Sequence, residues 1–451
     1  MLIFKLRKMK TIYQIVLGSL LFITACESDL DQVPPNIASS NSLEDYTGVL
    51  NAAYFYQTGS ATPIAVMGDF HADNALMIES PYTEFDNYGP NLTAMGDQFF
   101  GPFYTALYKS ILSSNNVIEN STDETEVGEA KFLRALSYFK LVKVFGDVPL
   151  NLSPAPSTTD NSILARQPLG EVYNNVIIPD LQDAIAMLDN SEVANKSGRA
   201  TRIAAQSLLG KIFIQRGDFV SAEPQLAAVV NAAAAAGISL QDNYADIFVN
   251  DLNSEIIFAT QISSSVPDEY GFTEFWSWYN GLDTKSLQPL DPDLIAAYDK
   301  SEADGETDLR RDVNIDEVLL ASPKYPQAGG PDYDWIEIRL ADVILLYAET
   351  LNENGSSPED VLNVLDPIRS RAGLSELNDA VINTQSLVRQ AIQDERRLEL
   401  AFEGQRWFDL VRTGTVEAEL GETITSNFLL FPIPISEILA SGGVITQNPG
   451  Y

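Results

Sequence analysis

Cysteine and histidine are almost missing from this 451-residue chain, which holds one of each, Cys26 and His71. A lone cysteine leaves no partner for an internal disulfide, and once Cys26 is lipidated no thiolate metal site or Cys nucleophile remains. One histidine excludes zinc hydrolase sites built on several imidazoles, and any Ser-His-Asp triad that does not use His71. Stability must therefore come from packing alone. Bases are scarce too, with 28 Lys and Arg against 63 Asp and Glu. Four of those bases (Lys5, Arg7, Lys8, Lys10) fall in residues 1–25, which hold no acid, so the rest sets 24 bases against 63 acids, a net charge of −39. Such a surface repels phosphate backbones, so no nucleic acid is expected as partner. It also disfavours sulfated or uronate-rich glycans, unless a local basic patch or bound cations offset the field. Acidity serves solubility equally well, so the charge removes ligand classes without choosing one. The apolar stretch from Ile12 to Ile23 is shorter than the about 20 residues of a membrane span.

What is present begins with that stretch. A basic start, a short apolar run and small residues ahead of Cys26 (Ile23-Thr24-Ala25-Cys26) describe a secretory signal. The cysteine after Thr-Ala makes it look like a bacterial lipobox, the alternatives being a plain secretory signal or an N-terminal anchor helix. Residues 1–25 are then the signal peptide, Cys26 carries the acyl chains, and the body is held at a membrane by its lipid anchor. Met9 is an alternative start that changes nothing downstream. Residues 26–42, polar, acidic and Pro-containing, read as a tether. About 425 residues remain, more than one small core holds, which predicts two lobes or one large helical body.

From Leu43 the pattern turns helical. Phe132, Ala135, Leu136, Phe139 and Val142 mark one face of a helix that begins near Gly128 and stops at Gly146. Val172–Leu188 (interrupted by Pro179), Thr201–Gln215, Ser221–Ala235, Ile338–Asn352 and Pro358–Arg371 also read as helices. Gly-containing turns at 215–218 and 352–355 join some of them into antiparallel pairs. Strands are expected at Glu255–Ala259 and Phe428–Ile433. The fold class is thus mainly α, a tetratricopeptide-like scaffold of paired helices with long loops and a few short strands. Loop-rich stretches fall at about 57–104, 147–168 and 240–335, and loops that long usually carry function.

Local sequences now accumulate in a telling order. They include Ser114-Asn115-Asn116-Val117-Ile118, then Gly128-Glu129-Ala130-Lys131-Phe132-Leu133-Arg134-Ala135 running to Phe145-Gly146-Asp147-Val148-Pro149-Leu150. Gly198-Arg199-Ala200-Thr201, Ser254-Glu255-Ile256-Ile257-Phe258 and Ile338-Arg339-Leu340-Ala341-Asp342 follow. The most specific is Glu395-Arg396-Arg397-Leu398-Glu399-Leu400-Ala401-Phe402-Glu403-Gly404, leading to Arg406-Trp407-Phe408-Asp409-Leu410-Val411-Arg412. Together they resemble the SusD/RagB family of outer-membrane nutrient-binding lipoproteins of Bacteroidota. The resemblance implies a SusD-like N-terminal part over 43–260 and a RagB/SusD C-terminal part over 261–451. It also implies a SusC-like TonB-dependent transporter as partner and an oligosaccharide ligand, with no catalysis and no cofactor. Peptide or another nutrient is the alternative cargo, as in RagB-like members. A lipoprotein glycoside hydrolase needs two carboxylates flanking a cleft, and no known hydrolase pattern appears.

The charged block at 395–412 has the three- and four-residue spacing of helix ion pairs and reads as structural, as do Arg134, Arg339, Arg369 and Arg371. Binding is expected in the loops. Residues 270–279 hold six aromatics, with Phe275, Trp276, Trp278 and Tyr279 the candidate ligand residues. Aromatic planes stack on the flat C–H faces of sugar rings. As a strand, Phe272, Trp276 and Trp278 would share a face; the competing reading is core packing beneath a long loop. Asn74 and Tyr88 are nominated from the early loop, while His71 reads as a satisfied or surface histidine. No metal site is expected, because Asp299–Gly305 is acidic but misses the calcium-loop pattern.

Overall fold

Helices dominate the computed structural model, which describes residues 45–451 apart from 158–159, 196–197, 267, 269–272, 283–285 and 327–331. The signal segment, the tether and Cys26 lie outside the described residues, as do Tyr270 and Phe272. Residues Tyr46–Tyr451 make one compact unit. In chain order its main elements are α1 (Thr47–Tyr56), α2 (Gly101–Asn120), α3 (Glu124–Phe145), the short strands β1 (Val148–Pro149) and β2 (Arg166–Gln167), α4 (Ile178–Met187), α5 (Arg202–Gln215) and α6 (Phe219–Ala232). Strand β3 (Ile256–Thr260), α7 (Phe275–Tyr279), α8 (Pro292–Ser301), strand β4 (Trp335–Arg339), α9 (Leu340–Glu353), α10 (Pro358–Arg371), α11 (Gln385–Glu399) and α12 (Arg406–Thr413) follow.

The helices start where a side chain can satisfy their first free N–H groups. Asp123 accepts from Thr125 and Glu126 at the head of α3, Thr201 from Ala204 at α5, Asp218 from Ser221 at α6, and Ser357 from Asp360 at α10. Sequential pairs α2–α3, α5–α6 and α9–α10 pack on each other, and α6 packs on α9, which joins early and late parts. Strands β3 and β4 pair antiparallel, from Ile256 opposite Arg339 to Thr260 opposite Trp335, with the register shifting around Phe258. That pairing crosses the expected part boundary at 260/261.

Three local expectations are corrected. Ile338 and Arg339 belong to β4, so the helix begins at Leu340. Phe428–Ile433 is not a strand: Ser426–Leu429 makes a 3-10 turn and no neighbour offers a ladder. Pro179 does not interrupt its helix, because it lies in the first turn of α4, after the wide turn Tyr173–Ile177, where a missing N–H costs little.

The charged block ends α11 at Glu399; Arg412 pairs with Asp409 three residues earlier (2.8 Å) and Arg396 with Asp409 (3.0 Å), while other partners come from distant segments. Arg339 donates from Nε and Nη2 to Glu403 (both 2.8 Å), from Nη1 to Glu255 (2.8 Å) and Glu399 (2.6 Å), and from Nη2 to the Glu399 carbonyl (2.7 Å). Arg310 joins through Glu395 (2.6 Å), Glu399 (3.1 Å) and Asp308 (2.8 Å), and Lys324 through Glu403 (2.7 Å). Arg371 reaches Glu255 (2.6 Å) and Glu399, and Arg369 reaches Glu395 (2.9 Å). Asp308, Glu255, Glu395, Glu399 and Glu403 are thus matched one for one by Arg310, Lys324, Arg339, Arg369 and Arg371. Burial alone would raise the Glu399 carboxyl, yet Arg371, Arg339 and Arg310 hold it far below the carboxylate range.

Gly404 closes the turn between α11 and α12 with φ +66, and its N–H donates to Asp69 Oδ2 (2.7 Å). A Cβ on Gly68 would stand 2.2 Å from the Gly404 carbonyl oxygen, so two backbones touch where no side chain fits. Gly68→Ala is expected to lower unfolding free energy by about 3 kcal/mol or more, read from urea titration. Arg339→Met, which leaves the buried carboxylates of the cluster one cation short, should cost about 3–5 kcal/mol in the same assay. Folded-state carboxyls held low at Glu399, Glu403, Asp73 and Asp342 contribute fully above the ordinary carboxylate range and are lost as pH falls through it. The thermal midpoint should therefore drop steeply below about pH 4.5.

Candidate functional site

A groove of about 640 Å³ opens where β3 ends. Helix α1 supplies one wall. Asn51, Tyr54, Phe55 and Thr58 recur at i, i+3, i+4 and i+7, which puts them on one face of the chain as it runs from α1 into the turn Gln57–Ser60. The floor is Phe258, Ala259 and Thr260 of β3, continued by Gln261, Ile262 and Ser263. Gln57, Asp251, Leu252, Val266, Asp268, Thr273, Asp332 and Asp334 complete the lining.

Hydrogen bonds hold these loops in place. Ile262 N–H donates to Asp334 Oδ1 (2.8 Å), and Ser264 donates from N–H (2.6 Å) and hydroxyl (3.1 Å) to Asp332. Thr273 caps onto Asp268 by N–H (3.1 Å) and hydroxyl (2.8 Å). Tyr54 is fixed by its hydroxyl, which donates to Glu129 (2.6 Å). Phe55 keeps a half-exposed ring, tilted against Tyr56 at 5.7 Å.

The electrostatics are one-sided. No Lys or Arg is among the lining residues, and residues 267–272 and 327–331 contain neither. Burial pushes the Asp334 carboxyl up to about 7, helped by the charges of Asp251 and Asp332. Asp251 is raised by burial and then by Asp332, whereas the Ser264 bonds lower Asp332. Among the described residues no group of three or more His, Cys, Asp or Glu is placed to hold a metal ion. The groove can present apolar surface and uncharged or anionic hydrogen-bonding groups, and offers no cation to an anion.

The residues nominated from sequence are brought together, but mostly inside the protein. Residues 275–279 form helix α7 in place of a strand, so one turn spreads their rings in several directions. Phe275 and Tyr279 are fully buried and Trp278 is 5% exposed. Phe275 packs edge-on to Trp335 (4.9 Å), Tyr279 stacks on Phe70 (5.7 Å), and Trp278 meets Phe70, Tyr82 and Phe99 at 5.6–6.2 Å. Their expectation as ligand contacts is corrected: a sealed ring has no face to offer, and the core reading holds for these three. Trp276 alone of the four keeps partial exposure, with its indole N–H buried and without a partner.

Asn74 is corrected likewise. It is 1% exposed, donates to Asp69 Oδ1 (2.9 Å) and accepts from Arg397 Nε (3.4 Å). Asp69, raised by burial to about 6, also accepts from the Tyr279 hydroxyl (2.6 Å), so the two nominated segments meet at this carboxyl. Tyr88, half-buried, stacks on Trp407 at 5.7 Å and lies 4.9 Å from the His71 ring. His71 is buried among these rings, its Nδ1 bonded to the Phe85 carbonyl, and burial pushes it down to about 3. Sequence reasoning missed the groove residues. Only the spacing 51, 54, 55, 58 beside the Glu-Ile-Ile-Phe strand carried a signal for it.

Comparison with known proteins agrees with this architecture. Residues 26–214 match the family described as "starch-binding associating with outer membrane", and residues 309–424 match the SusD family. SusD-like protein P2 of Formosa agariphila is 26% identical, over 96% of this chain and 98% of that protein. The starch-binding protein SusD of Bacteroides thetaiotaomicron is 22% identical, over 76% of each. Among solved structures, a SusD superfamily protein from Parabacteroides distasonis superposes with TM-score 0.73 at 21% identity, covering 90% of this chain and 98% of that one. A laminarin-binding SusD-like protein superposes with TM-score 0.68 at 24% identity, covering 90% and 99%. Two SusD profiles matched in order over residues 26–214 and 309–424, with relatives aligned over nearly the whole chain, show that this chain belongs to the SusD/RagB family.

Proposed function

We propose that this protein is a lipid-anchored, surface-exposed outer-membrane binding protein. It captures neutral oligosaccharide in the groove between α1 and the end of β3, and delivers it to a SusC-like TonB-dependent transporter without a chemical step. The observation that carries the reading is the composition of the groove. Phe55, Leu252 and Val266 supply apolar surface, while Asn51, Thr58, Gln261, Ser263 and the carboxylates supply hydrogen-bonding groups, and no base is present. Sugar C–H faces fit the first set and hydroxyls the second. A uronate or sulfate would enter a field of Asp251, Asp332 and Asp334, the neighbouring base Arg199 being already bonded to Asn51 and Glu129. The names of two relatives point the same way, since starch and laminarin are uncharged glucans. Trp276 is the second ring we assign to ligand; Tyr88, stacked on Trp407 and absent from the groove lining, is not assigned to it.

Calorimetry on the mature chain tests this with malto- and laminari-oligosaccharides against alginate oligosaccharides. Neutral sugars should bind, alginate should not, and Phe55→Ala should weaken binding by about tenfold, some 1.4 kcal/mol. Wild-type affinity in both Phe55→Ala and Trp276→Ala would remove the assignment, and reducing-sugar release from either substrate would remove the non-catalytic reading. The carboxyl of Asp334 offers a separate check. Its folded-state value lies above the unfolded one, so its charged form costs stability progressively as pH rises through about 7. Asp334→Asn keeps the acceptor for Ile262 and removes that cost. It should gain about 1–3 kcal/mol in urea unfolding at pH 8 and nothing at pH 4.

A further inference from the structure

Apart from the groove, three loops join at an exposed apolar edge. Ala75 bridges Leu290, Leu76 N–H donates to the Pro289 carbonyl (2.8 Å), and Leu290 N–H donates to the Leu320 carbonyl (3.0 Å). On this frame Ile78, Leu287, Val318 and Leu319 are 57, 48, 91 and 64% exposed. None of them lines the groove.

The edge is built, since its backbone is held in unusual conformations. Gln288 and Leu320 adopt φ of 56° and 53°, a region that side-chain-bearing residues avoid and that persists where the surroundings enforce it. Asp316 does the enforcing at the tip. Its Oδ1 accepts from both Val318 and Leu319 N–H (2.9 Å each), and its bridge to Ala321 closes the turn. Two apolar side chains are thereby presented outward on a fixed turn.

Two acids flank this edge, Asp86 and Asp291, the second also under the influence of Arg397. Met77, next to Ile78, bonds the Asp86 carboxylate through its backbone, and Asp291 N–H donates to the Asn74 carbonyl (3.3 Å). No Lys or Arg forms a salt bridge with Asp86 or Asp291 among the described residues. Burial raises both carboxyls, Asp86 to about 7, and the charge of Asp291 adds to the effect on Asp86. An incoming cation would relieve the crowding.

We propose that this edge docks a partner protein whose surface presents an aliphatic or aromatic patch beside a Lys or Arg, the patch covering Ile78, Leu287, Val318 and Leu319 and the cation meeting Asp86 and Asp291. Charge complementarity selects that occupant. A second copy would set acid against acid on a chain of formal charge −35. An anionic lipid surface would be repelled by the same net negative charge, with Asp316 at the root of the two-residue tip.

Photocross-linking in living cells tests the surface on the full chain, with p-benzoylphenylalanine in place of Val318. One protein adduct is expected, cross-linked through a peptide rich in apolar residues with a Lys or Arg nearby. Its yield should fall at least tenfold when Asp86→Asn and Asp291→Asn are added, changes that keep the acceptors and remove the charge. The same reagent at Val220, 77% exposed on α6, should not give that adduct. Neutral-oligosaccharide binding by the purified double variant, which should be unchanged, shows that the chain still folds and separates this surface from the groove. An adduct to a second copy or to lipid, no adduct, or an adduct indifferent to both Asn substitutions would overturn the proposal.

Discussion

Arg339 is the residue around which the late half of the molecule is organised. It stands at the end of β4 with its guanidinium 1% exposed, and every one of its N–H donors is used. Its acceptors come from the residue preceding β3, from the end of α11 and from the turn after it. A charge buried this deeply is tolerable only when geometry and count both match, so each segment that brings a carboxylate must arrive in one register. Lys324 illustrates the tension: burial pulls its ammonium down to about 8 even though Glu403 holds it. Such a cluster contributes less to net stability than hydrophobic burial would, but it discriminates strongly against misplaced segments.

Much of this was legible in the chain, for reasons that differ by region. Helices α3, α5, α6 and α10 announce themselves because an apolar face at helical spacing coincides with capping residues such as Thr201 and Ser357. The charged block was legible as structural because three- and four-residue spacing of Arg and Glu suits pairing better than chemistry. Its actual partners were not, since spacing along a helix says nothing about Glu255, Arg310 or Lys324 arriving from elsewhere. The aromatic run at 270–279 misled in a specific way. Density of rings is equally the signature of a core, and Phe275, Trp278 and Tyr279 are buried because Phe70, Phe99 and Trp335 converge on them. The groove escaped notice because its lining is assembled from five separated stretches, none of which is unusual alone.

The acidity of the chain acquires a local meaning from the same comparison. On the body as a whole it serves solubility as readily as recognition. In the groove it is concentrated, because Asp251, Asp332 and Asp334 all stand in the lining and no Lys or Arg does. Cations are instead concentrated inside, in the Arg339 cluster and in the pairs Arg134–Asp180 and Arg406–Asp73. Many of the described bases are spent on internal matching, although Lys300 and Arg389 stay exposed.

The β3–β4 pairing clips the chain back onto itself around residues 261–334. Because both ends of that excursion are fastened by backbone bonds, its length and composition can drift while the helical frame stays put, and closing a longer loop costs little extra. Side chains fasten the excursion to that frame at several points as well, among them Tyr279 to Asp69, Tyr298 to the Leu398 carbonyl, Arg310 to Glu395 and Lys324 to Glu403. The fold thus sets a long loop-rich excursion on a helical frame whose two nearest attachment points are a pair of neighbouring strands.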